Sequence, residues 1–186
     1  IGANTGEFTN WIRERNPDCG SIMVEANPNC ESRLRSVGQP YDIVALSTKK
    51  GFSDFYVEKI NPIGQGASIY KENTGWYSEG KYDVIKVETD TLDSRDYFSG
   101  KPIDLVKIDV QGSELDVLLG GKKTIERASY VLMELSLVEY NLGSPKIGEV
   151  VDKMVDYGFC MLDFLGYHSF PHLYSGMIFQ IDVLFK

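Results

Sequence analysis

The stretch from Ile103 to Gly121, IDLVKIDVQGSELDVLLGG, constrains this chain more than any other. Leu105, Val106, Ile108 and Val110 form an apolar, β-branched run that predicts a central strand buried on both faces. Asp109 falls near the carboxyl end of that strand. Gly112 then permits a tight turn, and Leu115, Leu118 and Leu119 recur at the spacing of one helix face. Ser113 with Asp116 three residues on has the pattern of a capping box, and Gly120-Gly121 is a stop signal. In open α/β sheets ligands bind beyond the carboxyl ends of the strands, so Asp109 stands either to meet a ligand or to cap its own turn.

The first residues, IGANTGEF, carry a second signal. Gly2 and Gly6 bracket a turn, and Phe8, Trp11 and Ile12 follow at helical spacing. A glycine loop opening a helix lets backbone N–H groups approach a nucleotide-like ligand. Ile1 reads as the end of a strand, and an apolar strand is expected ahead of it. Ser21 to Glu25 (SIMVE) predicts the next strand, with Glu25 about 20 residues after the glycine turn, the interval at which nucleotide-binding units place an acid on ribose hydroxyls. A carboxylate accepts both hydroxyl hydrogens at once. The alternative is a surface acid at a strand end. Asn27 and Pro28 predict the cap and first position of a helix.

Further strands are expected at Asp42 to Ser47, Gly51 to Val57, Tyr82 to Thr91 and Ser129 to Leu135, the last carrying Glu134 near its carboxyl end. Leu92 to Phe98 reads as a short turn or helix. Asn61 to Gly80 keeps no apolar period and predicts a long loop, a mobile wall over a site. Ser144 and Pro145 open a helix running to Tyr157, with Ile147, Val150, Val151, Met154 and Val155 on its core face. Phe159 to Phe164 and Met177 to Phe185 predict an antiparallel hairpin around a Gly166 to Gly176 loop that holds His168 and His172. The pattern is that of an α/β protein. It predicts a Rossmann-like, doubly wound, mostly parallel seven-stranded sheet with an antiparallel C-terminal hairpin, one domain over residues 1–186 whose first strand is largely missing.

Charge narrows the partners. The net charge of −8, from 19 basic and 27 acidic residues, and the lack of a basic patch argue against nucleic acid. No apolar run reaches the length of a membrane span. Three cysteines without CxxC spacing argue against a disulfide framework or structural zinc and suggest free thiols in a reducing, cytoplasmic setting.

GANTG at Gly2 to Gly6, VEANP at Val24 to Pro28, ALS at Ala45 to Ser47, TLD at Thr91 to Asp93, DLVKIDVQGSELDVLLGG at Asp104 to Gly121 and MEL at Met133 to Leu135 together resemble the FkbM-type family of S-adenosylmethionine-dependent methyltransferases. The resemblance runs along nearly the whole chain, with KIDVQGSE its most specific block. The family's first motif resembles D-x-G-A-N-x-G, so its acid would lie two positions ahead of Gly2. Gln111 departs from the more usual Glu. The resemblance implies a class I methyltransferase-like fold and O-methylation of a sugar, a glycan or a secondary metabolite, a small-molecule or glycan hydroxyl being the acceptor. It places the methionine part of S-adenosylmethionine (S-adenosylhomocysteine after transfer) against Gly2, Asn4 and Gly6. Glu25, beside Asn27, would hold the ribose, Ala45, Leu46 and Ser47 would flank the adenine, and Asp109 would face the methyl group or the cofactor amine.

A protonated hydroxyl is a poor nucleophile, so a base is expected, and Asp109, Glu134 and His168 are the candidates. His168 and His172 lie four apart beside Pro171, with no helix to fix them as a metal pair. A divalent ion between Asp109 and Glu134, with Asp93 as a third ligand, resembles catechol-type methyltransferases but is the less favoured reading, and no metal ligand is assigned. Two rival classes remain. A nicotinamide oxidoreductase would want G-x-G-x-x-G, where Asn4 replaces the middle glycine, and a Tyr-x-x-x-Lys relay. The other rival is a non-catalytic or degenerate nucleotide-binding module. DVQG in place of an N/D-P-P-Y-like motif disfavours amine methylation of nucleic acid.

Overall fold

The computed structural model describes residues 1–73, 75–169 and 176–186, with the backbone alone at Trp76. In chain order the elements are α1 (Glu7–Arg15), β1 (Met23–Glu25), α2 (Glu31–Val37), β2 (Tyr41–Ile43), β3 (Ala45–Leu46), β4 (Gly51–Glu58), β5 (Tyr82–Asp90) and α3 (Leu92–Arg95). There follow β6 (Ile103–Ile108), α4 (Glu114–Gly120), α5 (Lys122–Ile125), β7 (Ala128–Ser136), α6 (Ile147–Asp156), β8 (Met161–Ser169) and β9 (Ile178–Phe185).

The α/β alternation and the antiparallel C-terminal pair form as expected, but the single, mostly parallel seven-stranded sheet does not. The strands fall into sheets of two, three and four, ordered β1-β2, β3-β5-β4 and β6-β7-β9-β8. Three pairings are parallel (β1 with β2, β3 with β5, β6 with β7) and three antiparallel (β4 with β5, β7 with β9, β8 with β9). Ile1 and Gly2 lie between β1 and β6: Ile1 N donates to Lys107 O at 2.8 Å, Asp109 N to Ile1 O at 3.2 Å, and Gly2 N to Val24 O at 2.9 Å. These bonds bridge the two strands without forming a paired strand of their own. On the other flank Val44 separates β2 from β3 and donates its N–H to Glu25 O, after which β3 turns to pair with β5.

The main core joins Ile108 of β6, Val117 and Leu118 of α4, Ile125 of α5, Val131 and Met133 of β7, Met154 of α6 and Phe185 of β9, all fully buried. Each such side chain stabilises the fold by about 1.5–3 kcal/mol through the apolar surface it removes from water. β6 is not buried on both faces, since Leu105 is 37% exposed and borders a small cavity beside Ile22 and Val24. On α6, Val150 and Met154 are buried as the spacing predicts, while Val155 stands in solvent.

Helix ends depart from the sequence reading where side chains find other partners. α6 begins at Ile147 rather than Pro145, because Ser144 turns its hydroxyl to Asn141 O and Glu149 takes the Lys146 N–H at 2.9 Å. At α4 the expected capping box is absent: Ser113 Oγ donates to Val110 O, and Asp116 accepts from the Tyr70 hydroxyl. Gly120 ends α4 for a packing reason. A Cβ there would lie 2.0 Å from Ser47 O, so only glycine lets the helix meet the end of β3. The chain then continues directly into α5.

β8 runs on through Gly166 and His168 to Ser169, where a loop was expected, because its register with β9 shifts three times and keeps pairing alive. His172 lies outside the described residues. Cys19, Cys30 and Cys160 are free. Among the described residues no helix is long and apolar enough to cross a membrane.

Candidate functional site

A cavity of about 300 Å³ opens over the carboxyl ends of β1, β3 and β6 and reaches Glu134 of β7. Of the residues expected at the site, Gly2, Asn4, Glu25, Ala45, Leu46, Asp109, Glu134 and His168 line it. Gly6, Asn27 and Ser47 stand behind it. A Cβ on Gly6 would strike Val37 and Met23, so this glycine seats α1. Asn27 caps the turn at Pro28–Cys30, accepting from Asn29 N at 3.1 Å, and donates to Pro62 O at 2.7 Å. Ser47 N is taken by Asp90 O.

The glycine loop contributes shape more than donors. Gly2 holds φ 73, and a Cβ on it would come within 1.7 Å of Asp109 O, so the loop can lie against β6 only with glycine there. The N–H groups of Gly2 and Ala3 both go to Val24 O. Asn4 N donates to Glu25 Oε2 and Asn27 N to Glu25 Oε1, each at 2.7 Å. Glu25 therefore has a structural task that the sequence reading did not foresee. Its carboxylate ties the loop to the turn after β1 and keeps lone pairs on both oxygens for a ligand. Burial, only partly offset by the Asn27 and Asn4 bonds, raises its pKa above the ordinary carboxylate value.

Beyond Glu25 the cavity becomes an apolar slot lined by Ala26, Val44, Ala45, Leu46, Phe55 and Ile69. Its outer wall is the long connection between β4 and β5. That wall is fastened rather than loose: Asn4 Nδ2 donates to Ile63 O, Tyr56 N to Ser68 O, Ser68 Oγ to Gln111 O and Tyr70 OH to Asp116 Oδ2.

The opposite end is polar. Lys107 Nζ sits 2.6 Å from Asp109 Oδ2. The Gln111 amide nitrogen donates to Asp109 Oδ1 at 2.9 Å and to Glu134 Oε2 at 2.7 Å, while its oxygen accepts from Gln180 at 3.3 Å. Gln111 holds φ 54, a left-handed conformation uncommon outside glycine, and both donor positions of its amide lie between two acids. Burial, and then the Asp109 charge, lifts the Glu134 carboxyl well above its usual range. His168 Nε2 lies 3.3 Å from Glu134 Oε1 and 3.5 Å from Asp182 Oδ2. Asp93 is elsewhere, accepting from the N–H groups of Lys123 and Thr124, so the ligand set Asp109, Glu134 and Asp93 does not assemble. Glu134, His168 and Asp182 instead bring one ligand atom each within 4.8 Å of one another.

The model of the FkbM methyltransferase domain matches residues 1–161. The chain belongs to this family. It is also similar to the 2-O-methyltransferase NoeI of Sinorhizobium fredii (strain NBRC 101917 / NGR234), 28% identical over 165 residues, which make up 82% of this chain and 68% of that protein. No solved structure matches it.

In this FkbM-family chain the sequence reading missed Lys107, Asp182 and Phe55 as site residues and took Gln111 only as a departure from the family's usual Glu. Lys107 shares a strand face with Asp109 two residues on, a signal that period-2 alternation contains. Asp182 faces Glu134 in the β7–β9 register, which no local pattern reveals. Behind the site, Glu114 accepts from Val110 N at 3.3 Å and Gly112 N at 3.1 Å and so fixes the turn that presents Gln111. Its burial pushes the carboxyl up to about 7.

Proposed function

We propose that this FkbM-family protein moves a methyl group from S-adenosylmethionine to a hydroxyl oxygen of a sugar, a glycan or a secondary metabolite. The observation that carries the reading is the polarity of its cavity: an apolar slot beside Glu25 at one end and acids at the strand ends of the other. An adenine suits the slot of Ala45, Leu46 and Phe55, and ribose hydroxyls suit the lone pairs left on Glu25. Close backbone at Gly2 and Asn4 leaves room for the methionine portion. A cationic ligand suits the polar end, where Asp109 and Asp182 outnumber Lys107 and the raised carboxyl of Glu134 adds a further oxygen acceptor. When bound, the cofactor supplies a methyl carbon that its sulfonium makes electrophilic, and the acceptor's oxygen pair forms the new C–O bond as the C–S pair stays on sulfur.

The protein's part is to orient the hydroxyl, exclude water and receive a proton. Asp109 is tied by Lys107 and Gln111, which suits an anchor. Glu134 and His168 are the groups that suit proton transfer, and the name of NoeI, a 2-O-methyltransferase, supports oxygen as the acceptor atom.

Calorimetric titration of S-adenosylhomocysteine, with NAD in parallel, tests this on the wild-type chain and on Ala67→Phe, which adds an aromatic ring where Ala67 lines the slot against Ala45 and Phe55. S-adenosylhomocysteine is expected to bind the wild type, and to bind the folded variant at least roughly tenfold more weakly, a loss of about 1.4 kcal/mol. A folded wild type that ignores S-adenosylhomocysteine overturns the reading, and binding of NAD in its place moves it to an oxidoreductase.

A further inference from the structure

Asp182 projects into the site from β9. Across one side it faces Glu134 of β7, and across the other it faces Gly166 of β8. The glycine matters, because a Cβ at 166 would sit 3.0 Å from Asp182 Oδ2 and crowd the carboxylate away from the ring two residues along β8. That ring, His168, is half exposed at the cavity mouth, with Glu134 nearly buried and Asp182 between the two in exposure. Phe179 touches it only at a 6.5 Å centroid distance. Among the described residues, Phe179 is the ring that packs on His168, and the carboxyl groups 3.3 and 3.5 Å from Nε2 hold its other edge. Both His168 and Asp182 lie past residue 161, where the family match ends.

We propose that Asp182 is a positioning residue for methyl transfer. With Glu134 it holds the Nε2 edge of His168, leaving Nδ1 to take the proton of the acceptor hydroxyl. This rests on the methyltransferase reading. The acceptor's O–H bond breaks, its proton forms an N–H bond at Nδ1, and the electron pair stays on oxygen for the new C–O bond. Nothing is oxidised. The resulting imidazolium has its Nε2–H between two carboxylates, an arrangement that fixes the tautomer before the step and stabilises the cation after it. Among the described residues the ionisable groups at this end are Lys107 from β6, Asp109 just beyond it, Glu134 from β7, whose carboxyl burial raises, and Asp182 from β9, so acids outnumber the one base around that cation. The proton then leaves to solvent through the exposed side of the ring.

Two measurements test it. The first needs no substrate: ¹⁵N NMR of the imidazoles, with His168 assigned by its loss in His168→Asn. The wild type is expected to carry its ring proton at Nε2, Asp182→Asn to show a mixture of tautomers, and Asp182→Glu to restore the wild-type pattern. The second follows transfer from S-adenosylmethionine to a panel of methyl glycosides. Asp182→Asn is expected to lower kcat at least roughly tenfold with KM within about twofold, and to recover activity as pH rises and solvent base substitutes for the ring. An unchanged circular dichroism spectrum of the variant shows that its fold is intact. Identical NMR tautomers in wild type and Asp182→Asn overturn the proposal whatever the transfer assay gives. So does a wild type whose His168 resonance broadens on Mn²⁺ addition and whose activity EDTA removes, because the three side chains would then be metal ligands. Failure of the wild type to bind S-adenosylhomocysteine defeats the methyltransferase reading separately.

Discussion

Glu114 makes a sharp prediction, because its carboxyl is buried in the turn that carries the site. Its Oε1 accepts from Val110 N and Gly112 N, yet desolvation outweighs those bonds and pushes the group from 4.5 up to about 7. Between those two values the folded chain holds a proton that the unfolded chain has released, so stability falls as pH rises through that window. The contribution is fully present below the unfolded value and gone above the folded one. At about 1.4 kcal/mol per unit, the shift amounts to roughly 3 kcal/mol. Glu114→Gln keeps an oxygen for both N–H groups and cannot ionise. Urea unfolding of the two proteins at closely spaced pH values is therefore expected to show the variant gaining roughly 3 kcal/mol on the wild type between about pH 4.5 and 7.5. Glu25, Asp116 and Glu134 also have raised carboxyls, but they are common to both proteins and drop out of the difference. A difference in unfolding free energy that stays flat across this range refutes the assignment of a buried, proton-holding Glu114.

Two further substitutions probe the contacts that shape the cavity. Gly120→Ala would stabilise an ordinary exposed helix by about 1 kcal/mol, but here the methyl group meets Ser47 O, so the melting temperature is expected to fall by an amount reflecting about 1–3 kcal/mol, and an unchanged or higher value defeats the close-packing account. Gln111→Glu places a third carboxylate against Asp109 and Glu134, which raises the folded pKa of the new group; the variant is expected to match the wild type below about pH 4.3 and to lose stability progressively above it, read by the same urea titration. A variant as stable as wild type at neutral pH shows that the amide is not what keeps the two acids together.

Local chemistry was legible in the sequence, and pairing was not. The run from Ile103 to Gly121 gave strand, acid, turn and helix in the right order, and Asn27 caps its turn as read, because these features depend on residues within a few positions of one another. Ser113 and Ser144 misled because a hydroxyl chooses among nearby acceptors, and in each case a carbonyl three residues back lay closer to hand than the helix start. The division into three sheets follows from which strands pair, and pairing joins residues far apart in sequence, such as β3 with β5 and β7 with β9. Asp182 was invisible for the same reason: an acid in a C-terminal strand acquires meaning only from the register that sets it across from Glu134 and beside a glycine. Gln111 was seen, but as a departure. Its amide, with the Lys107 ammonium on Asp109, accounts for how Asp109 and Glu134 can share one wall, since a single NH₂ group donates to both and an ionised glutamate there could donate to neither. The residue read as a departure from the motif is thus the one whose side chain bridges Asp109 and Glu134 at the acidic end of the cavity.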